Sequence, residues 1–295
     1  MEITMLTGSI VAIVTPLKNN QIDKQAYRRL VEFQIKNHTS GIVPCGCTGE
    51  PATMSMEEHR DIIAYTVEIV NKRAHVMAGT GSNNTKEAIE LSQYAEKAGA
   101  DSVLVITPYY NKPTQKGLYL HYKQVAENIS IPLVIYNVPS RTGVSISPET
   151  VCELSHIKNI VGIKEASGSL DQVSQIISLC SKDFTVFSGD DSLTLPIMAV
   201  GGKGVISVAA NIIPLQVAQM VGSALTNQWD KARQLHLELF PIFKILFIET
   251  NPIPVKAALA MMNMITMEWR LPLTAPLPEN LQKIKAVLQK NKVVV

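Results

Sequence analysis

Asn159-Ile-Val-Gly-Ile-Lys-Glu-Ala-Ser167 is a short apolar run that contains one lysine. Such a run predicts a buried strand. It places Lys164 where desolvation disfavours the ammonium form and lowers the lysine pKa. A lysine that is partly neutral near pH 7 is a nucleophile, and with a ketone or an aldehyde it forms a Schiff base. The alternative is a strand-end lysine that extends to solvent or pairs with Glu165.

Short apolar runs alternate with amphipathic helical segments on both sides of this stretch. Besides the stretch around Lys164, strands are expected at residues 9–15, 41–44, 75–79, 101–106, 133–136, 184–188 and 204–208. About eight strand–helix units at a spacing of about 25 residues predict an α/β fold, the (β/α)8 TIM barrel. A doubly wound open sheet is the alternative, but the sequence lacks its Gly-rich nucleotide turn.

The pattern changes to helices alone after residue 229. Helices are expected over residues 230–247, 254–265 and 278–290, separated by proline-rich joints. We therefore predict a catalytic barrel over residues 1–229 and a C-terminal helical extension over residues 230–295, packed on the barrel.

Composition excludes several classes of protein. The chain has 295 residues, 18% of them charged, a net charge of +2 and no long basic run, so nucleic acid is not an expected partner. No apolar run approaches the about 18 residues of a membrane span, and no signal peptide is evident. Four cysteines without a secretion signal predict free thiols in the cytoplasm. Cys45 and Cys47 have no partners at zinc-ligand spacing, so neither a metal nor a cofactor is expected.

The catalytic groups of such a barrel are expected at the carboxyl ends of its strands. A phenol at Tyr136, one strand from Lys164, is suited to move protons during Schiff-base chemistry. Thr48 and Gly49 offer a hydroxyl and backbone N–H groups to a small carboxylate. The Arg141 guanidinium is suited to a second carboxylate.

Each of these features also has a simpler interpretation. Tyr109, Tyr110 and Tyr136 could be ordinary residues of a barrel rim, and Arg141 could be a solvated loop charge. Thr48-Gly49 could be a plain turn. Asp190-Asp191 is interpreted as a helix cap rather than as a catalytic pair.

Several motifs together resemble one known family. They are Gly46-Cys-Thr-Gly-Glu50, Thr107-Pro-Tyr-Tyr-Asn111, Tyr136-Asn-Val-Pro-Ser-Arg-Thr-Gly143, Gly162-Ile-Lys-Glu-Ala166 and Gly204-Val-Ile-Ser207. In this order, over residues 8–288, they are similar to the dihydrodipicolinate synthase family of the N-acetylneuraminate lyase superfamily. The resemblance implies condensation of pyruvate with L-aspartate 4-semialdehyde on the diaminopimelate route to L-lysine.

The resemblance also implies a role for each matching residue. Lys164 would form the Schiff base with pyruvate, and Tyr136 would donate and accept protons. Tyr110 would join this relay from across a dimer interface. Pyruvate would be bound by Thr48, Gly49 and the backbone of Ile206, and the semialdehyde carboxylate by Arg141. A homotetramer, a dimer of tight dimers, is the implied assembly.

Cys47 departs from the family pattern, in which a threonine links the two relay tyrosines. A thiol is a weaker hydrogen-bonding group than a hydroxyl, so we expect a working but slower relay. The alternative is that Cys47 only fills a small space.

Feedback inhibition by L-lysine is a further implication of the resemblance. The positions that match the family's effector site are Ala52, His59, Gly81, Asn83, Glu87 and Tyr109. Pro51 and Met56 depart from the residues that are usual there. Without the resemblance, His59 and Glu87 could equally be solvated helix residues.

Two other functions compete with this one. Another Schiff-base aldolase of the superfamily would use a different aldehyde, such as those of N-acetylneuraminate or keto-deoxy-sugar cleavage, and Arg141 argues against it. A non-catalytic binding protein would be expected to lack Lys164 or the relay tyrosines Tyr110 and Tyr136.

Overall fold

Eight parallel strands form a closed barrel in the computed structural model, which describes residues 6–294. In chain order they are β1 (Gly8–Ala12), β2 (Gly41–Val43), β3 (His75–Gly79), β4 (Ser102–Ile106), β5 (Leu133–Asn137), β6 (Ile160–Glu165), β7 (Thr185–Ser188) and β8 (Gly204–Ser207). The predicted TIM barrel is therefore confirmed, and the doubly wound alternative is wrong.

The barrel closes where β1 pairs with both β8 and β2. Gly8 lies opposite Gly204, and Ile10 lies opposite Gly41. Gly204 has φ +152°, and a Cβ atom there would lie only 2.0 Å from the carbonyl oxygen of Gly8. Glycine is thus required at this seam, because only glycine permits both the conformation and the close approach.

Helices surround the barrel and cover its outer face. They are α1 (Lys24–Lys36), α2 (Met56–Val70), α3 (Thr85–Ala98), α4 (Gln115–Glu127), α5 (Pro148–Ser155), α6 (Leu170–Leu179), α7 (Thr194–Ala199) and α8 (Pro214–Leu225). Ser147 caps α5, as predicted, by accepting a hydrogen bond from the backbone N–H of Thr150. Several small elements were not predicted, among them the hairpin of Leu17–Lys18 and Gln21–Ile22 and the single turn Pro139–Thr142.

Three more helices follow the barrel: α9 (Trp229–Ile245), α10 (Ile253–Met261) and α11 (Pro278–Lys290). α9 packs on α8 and on α11, and α11 also packs on α10. This is the helical extension expected from the sequence; the exact division after residue 229 falls just inside α9, whose first residue is Trp229, and stays a prediction. Within residues 6–294, no helix has the length and apolar character that a membrane crossing requires.

Side chains fill the interior of the barrel. Ile10, Met77, Leu104, Phe187 and Ile206 pack there with the ring of Tyr136. A second and larger apolar layer lies between the strands and the helices. Polar chemistry is therefore confined to the ends of the barrel, where loops and the extension meet.

Candidate active site

Lys164 lies near the end of β6, opposite Tyr136 of β5. Its side chain is buried, and its ammonium nitrogen lies 4.2 Å from the centroid of the Tyr136 ring. Burial lowers the pKa of Lys164 to about 8, the neighbouring Cys47 and Asp191 act in the opposite direction, and the charge of Arg141 lowers the pKa further. The position thus increases the fraction of neutral amine near pH 7, as the sequence predicted.

The two simpler interpretations of Lys164 are wrong. The residue does not extend to solvent, since only 5% of its surface is exposed. Glu165 is turned to other donors: it accepts hydrogen bonds from the side chains of Asn137 at 3.0 Å and Gln172 at 3.2 Å, and from the backbone N–H of Ser167 at 2.6 Å. These donors satisfy the Glu165 carboxylate without the lysine.

A cavity of about 560 Å³ opens at this end of the barrel. It brings together five of the predicted site residues: Cys47, Thr48, Tyr136, Arg141 and Lys164. Its remaining lining comes from the ends of other strands and from the C-terminal extension: Val138, Ser140, Ala166, Gly189, Asp190, Val208, Phe247, Glu249, Thr250 and Asn251.

Tyr136 is buried beside Lys164 and Cys47. Burial raises its pKa well above the ordinary value, the neighbouring Cys47 raises it further, and the charge of Arg141 opposes this rise. The phenol is therefore protonated over the physiological range, and it is present as a proton donor when a substrate arrives. The rim-residue interpretation is wrong for this tyrosine.

Asn251, which the sequence did not single out, connects two of the predicted residues. Its side-chain Nδ2 donates to the hydroxyl of Thr48 at 3.0 Å, and its carbonyl oxygen accepts from Nη2 of Arg141 at 2.8 Å. Asn251 Oδ1 is buried and has no hydrogen-bond partner among residues 6–294. Arg141 is thus an exposed loop charge, as the simpler interpretation has it, but one of its N–H groups is held by Asn251 at the cavity. The extension forms one wall of the site.

Three predicted site residues do not line this cavity. Gly49 is buried, and its N–H donates to the carbonyl oxygen of Gly46 at 2.8 Å. Ile206 is fully buried in the barrel interior, and Val208 lies at the cavity instead. Tyr110 is 89% exposed at the end of β4 with φ +67°, so within this chain it is apart from Lys164.

The Asp190-Asp191 pair divides into two roles, so its interpretation as a simple helix cap is only half right. Asp190 caps the turn Asp191–Leu193 by accepting from the N–H of Ser192. Asp191 is buried and accepts from the Ser207 hydroxyl at 2.5 Å and from two backbone N–H groups that follow β8. A buried carboxylate needs such donors, and its charge also acts on Lys164.

A second cavity of about 480 Å³ lies next to the first and shares Cys47, Tyr136, Arg141, Thr250 and Asn251 with it. The predicted effector-site residues that line it are Ala52, His59, Gly81, Glu87 and Tyr109. Asn83 is not among its lining residues; instead the Asn83 carbonyl accepts from the Asn111 side chain at 2.8 Å.

His59 and Glu87 differ in exposure. His59 is buried, its Nε2 lies 2.8 Å from the carbonyl oxygen of Gly79, and burial lowers its pKa. The solvated interpretation is therefore wrong for His59. Glu87 is exposed and accepts hydrogen bonds from Ser82 and Asn84 near the start of α3.

All four cysteines are free, as predicted. In the part of the chain that the structure describes, no three His, Cys, Asp or Glu side chains come together in a group that could hold a metal ion.

The missed residue Asn251 had a weak signal in the sequence. It precedes the apolar run Pro252-Ile-Pro-Val-Lys-Ala-Ala-Leu259, which contains a second lysine, as the run around Lys164 does. Sequence spacing gives no indication that this run faces the barrel mouth, because the approach depends on how the extension folds back.

Known proteins share this sequence and this fold over almost the full chain. The sequence model of the Dihydrodipicolinate synthetase family matches residues 5–291. The chain is 56% identical over 285 residues to the 4-hydroxy-tetrahydrodipicolinate synthase of Syntrophus aciditrophicus, an alignment that covers 97% of this chain and 98% of that protein. The crystal structure of dihydrodipicolinate synthase from Aquifex aeolicus superposes with a TM-score of 0.97 at 49% identity, covering 98% of this chain and 99% of that chain.

Two further solved structures contain small molecules. The chloride-inhibited dihydrodipicolinate synthase from Acinetobacter baumannii, complexed with pyruvate, has a TM-score of 0.96 at 44% identity and covers 98% of this chain and 100% of that one. The enzyme from Cyanidioschyzon merolae with lysine bound has a TM-score of 0.96 at 35% identity, covering 98% and 99%. On the strength of the sequence match and the shared barrel, the chain belongs to the dihydrodipicolinate synthetase family.

Proposed function

We propose that this chain condenses pyruvate with L-aspartate 4-semialdehyde through a Schiff base on Lys164, as a 4-hydroxy-tetrahydrodipicolinate synthase does. The observation that supports this best is the buried amine of Lys164 beside the Tyr136 ring, at the base of a cavity that also holds Thr48 and Arg141. The family membership supplies the substrate pair.

The proposed reaction begins with attack of the neutral Lys164 amine on the ketone carbon of pyruvate. The resulting carbinolamine loses water to give an imine, and the former methyl group then loses a proton to give an enamine. The enamine carbon attacks the aldehyde of the second substrate, whose oxygen takes up a proton to become the 4-hydroxyl group. The amino group of that substrate then attacks the imine carbon, which closes the six-membered ring and displaces the Lys164 amine. These steps require neither a metal ion nor an oxidant or reductant.

Tyr136 is assigned the proton transfers of these steps. Water can leave the carbinolamine only when its oxygen is protonated, and the protonated phenol beside Lys164 is a suitable donor. The phenolate that remains can then accept the proton that enamine formation releases. Cys47, which influences the pKa of both Tyr136 and Lys164, lies where a relay group would be needed.

The two carboxylates of the substrates are assigned to opposite sides of the cavity. We place the pyruvate carboxylate at the Thr48 hydroxyl. Gly49 beside it and the backbone of Ile206 complete the pocket in this proposal, although neither residue lines the cavity. The semialdehyde carboxylate goes to Arg141, whose guanidinium is fixed by Asn251. A guanidinium that is already held loses less freedom when it pairs with a carboxylate.

A second copy of the chain is proposed to supply Tyr110. The exposed phenol and its left-handed backbone are unusual for a large aromatic residue, and contact with a partner would bury the ring. We therefore propose a tight dimer in which each Tyr110 reaches the neighbouring relay, and a tetramer of two such dimers. A cytoplasmic location is proposed from the reduced cysteines expected there.

L-Lysine is proposed as an effector at the second cavity. Glu87 offers a carboxylate there and His59 a ring nitrogen, and a related enzyme has been crystallised with lysine bound. The cavity shares Cys47 and Tyr136 with the first one, so a ligand bound in it would lie close to the proposed relay.

Turnover of the purified protein tests the function. Pyruvate and L-aspartate 4-semialdehyde are supplied, and product is coupled to the following reductase and recorded as NADPH loss. We expect turnover in the wild type and none in Lys164→Ala. Absence of turnover while borohydride still traps pyruvate on Lys164 would favour another aldolase of the superfamily. Absence of both would overturn the Schiff-base mechanism.

A further inference from the structure

A second buried lysine, Lys256 of α10, lies behind the turn that carries Cys47 and Thr48. Its ammonium nitrogen is 2.5 Å from Oε1 of Glu50, and the two side chains are 0% and 4% exposed. Removing two charges from water costs free energy that only close pairing offsets. The pair therefore fixes the distance between α10 and the end of β2.

Glu50 has a backbone conformation that needs support. Its φ of 60° and ψ of 42° are left-handed, which is unfavourable for a residue with a Cβ atom. In this conformation Glu50 ends the turn Cys47–Gly49 by donating its N–H to the carbonyl oxygen of Cys47 at 3.2 Å. It then leads into the next turn, Pro51–Thr53. Contact with Lys256 holds the residue at the junction of the two turns.

Asn251 forms a second connection from the same part of the extension, five residues before Lys256. Its hydrogen bond to the Thr48 hydroxyl and the Lys256–Glu50 pair hold residues 48 and 50 of one turn. Gly49 lies between these two residues and has no side chain that could hold the turn by itself. The orientation of the Thr48 hydroxyl thus depends on contacts made by the extension.

We infer that Lys256 and Glu50 are positioning residues that hold the Cys47–Thr48 turn in its substrate-binding conformation. Neither lines the first cavity, so both act through Thr48 and Cys47. The inference relies on the proposed function in one respect, the assignment of the pyruvate carboxylate to Thr48. It makes α10 a structural part of the pyruvate site, although α10 lies outside the barrel.

Pyruvate-dependent borohydride trapping on Lys164 is the measurement that tests this, because it reports pyruvate binding without the second substrate. The variants are Glu50→Gln and Lys256→Met, each of which keeps the approximate shape and removes one charge. Leu154→Ala in α5 is the control, since Leu154 is fully buried in the core and α5 packs on its neighbours α4 and α6 in the outer layer of helices. It lowers Tm by creating a cavity.

We expect both single variants to raise the pyruvate concentration for half-maximal trapping about tenfold or more, since a small displacement of a binding group is costly. Leu154→Ala should leave this concentration unchanged although it lowers Tm by a similar amount. If either single variant fails to fold, the double variant Glu50→Gln with Lys256→Met removes both charges and is expected to fold. Its half-maximal concentration should still be raised.

The inference would be overturned if the folded variants had a reduced Tm but needed a pyruvate concentration for half-maximal trapping within twofold of the wild-type value. The Lys256–Glu50 pair would then contribute to stability alone. Failure of the proposed function has a different signature. In that case the wild type itself would not be trapped by borohydride with pyruvate.

Discussion

The amine of Lys164 and the ring of Tyr136 lie opposite each other on adjacent strands, 4.2 Å from nitrogen to ring centroid. This contact places the proposed nucleophile and the proposed proton carrier in one rigid sheet. Neither depends on a mobile loop for its position, so the chemistry of the pair should be sensitive to small changes in either side chain.

Lys164→Met tests the nucleophile. The methionine side chain has a similar length and fills the same buried space, so the barrel should remain folded. We expect turnover to fall by at least about a thousandfold, because no second lysine of residues 6–294 lines the cavity. Borohydride trapping followed by mass spectrometry should show no pyruvate adduct. An adduct in this variant would place the Schiff base on another residue.

Tyr136→Phe tests the proton carrier. The ring and its packing in the barrel interior remain, and only the phenol oxygen is lost. Loss of a general acid and base should lower kcat by about 10²- to 10⁴-fold, with a much smaller change in the KM for pyruvate. An unchanged kcat would assign the proton transfers to another group, and Tyr110→Phe in the same assay would then identify it or exclude it.

Cys47→Thr tests the unusual relay residue. A hydroxyl bonds more strongly than a thiol, so kcat should be maintained or should rise. Cys47→Ala is the matched comparison because it removes the hydrogen-bonding group altogether, and it should lower kcat. Equal kcat values in the three proteins would mean that Cys47 only fills space. A large decrease in Cys47→Thr alone would show a role specific to sulfur.

The rate of Schiff-base formation should depend on pH in a defined direction. The folded-state pKa of Lys164 is lowered to about 8, so the amine is mostly protonated below pH 8 and the trapping rate should fall about tenfold per pH unit there. Above pH 8 the rate should level off. Arg141→Met removes a charge that lowers this pKa, and its profile should move to higher pH. A profile of the wild type centred above pH 10 would contradict the buried environment.

Gly189→Ala tests the space around the amine. A Cβ atom at this position would lie 2.6 Å from the Cβ of Ala166 and 3.1 Å from Cε of Lys164. The methyl group should therefore displace the lysine side chain and lower kcat/KM about tenfold or more. Gly222→Ala in α8 is the control, because a Cβ atom there meets no atom within 4 Å. Equal activities of the two variants would show that Lys164 tolerates the contact.

Titration of activity with L-lysine tests the second cavity. We expect inhibition that weakens in Glu87→Gln, since the variant loses the carboxylate that would pair with an ammonium group. Sedimentation velocity on the same samples gives the assembly state. No response at millimolar lysine would exclude the effector role.

The strands and helices of the barrel were readable from the sequence because each apolar run is short and bounded, and because parallel strands are buried on both faces. The same reasoning identified Lys164 as a buried amine. It did not single out Lys256, although this lysine also lies in an apolar run, because its decisive partner is Glu50, 206 residues away. Asn251 was missed for a similar reason: contacts between distant segments leave no local periodicity.

The contacts of Asn251 with Thr48 and of Lys256 with Glu50 also affect when activity can arise during folding. Thr48 meets Asn251 across 203 residues of sequence, and the eight barrel strands are complete by Ser207. A chain emerging from the ribosome thus holds every strand and the Lys164–Tyr136 pair before the segment that fixes the pyruvate turn has been synthesised. Contacts of such long range form late. Competence to bind substrate should therefore be among the last properties acquired by the nascent protein.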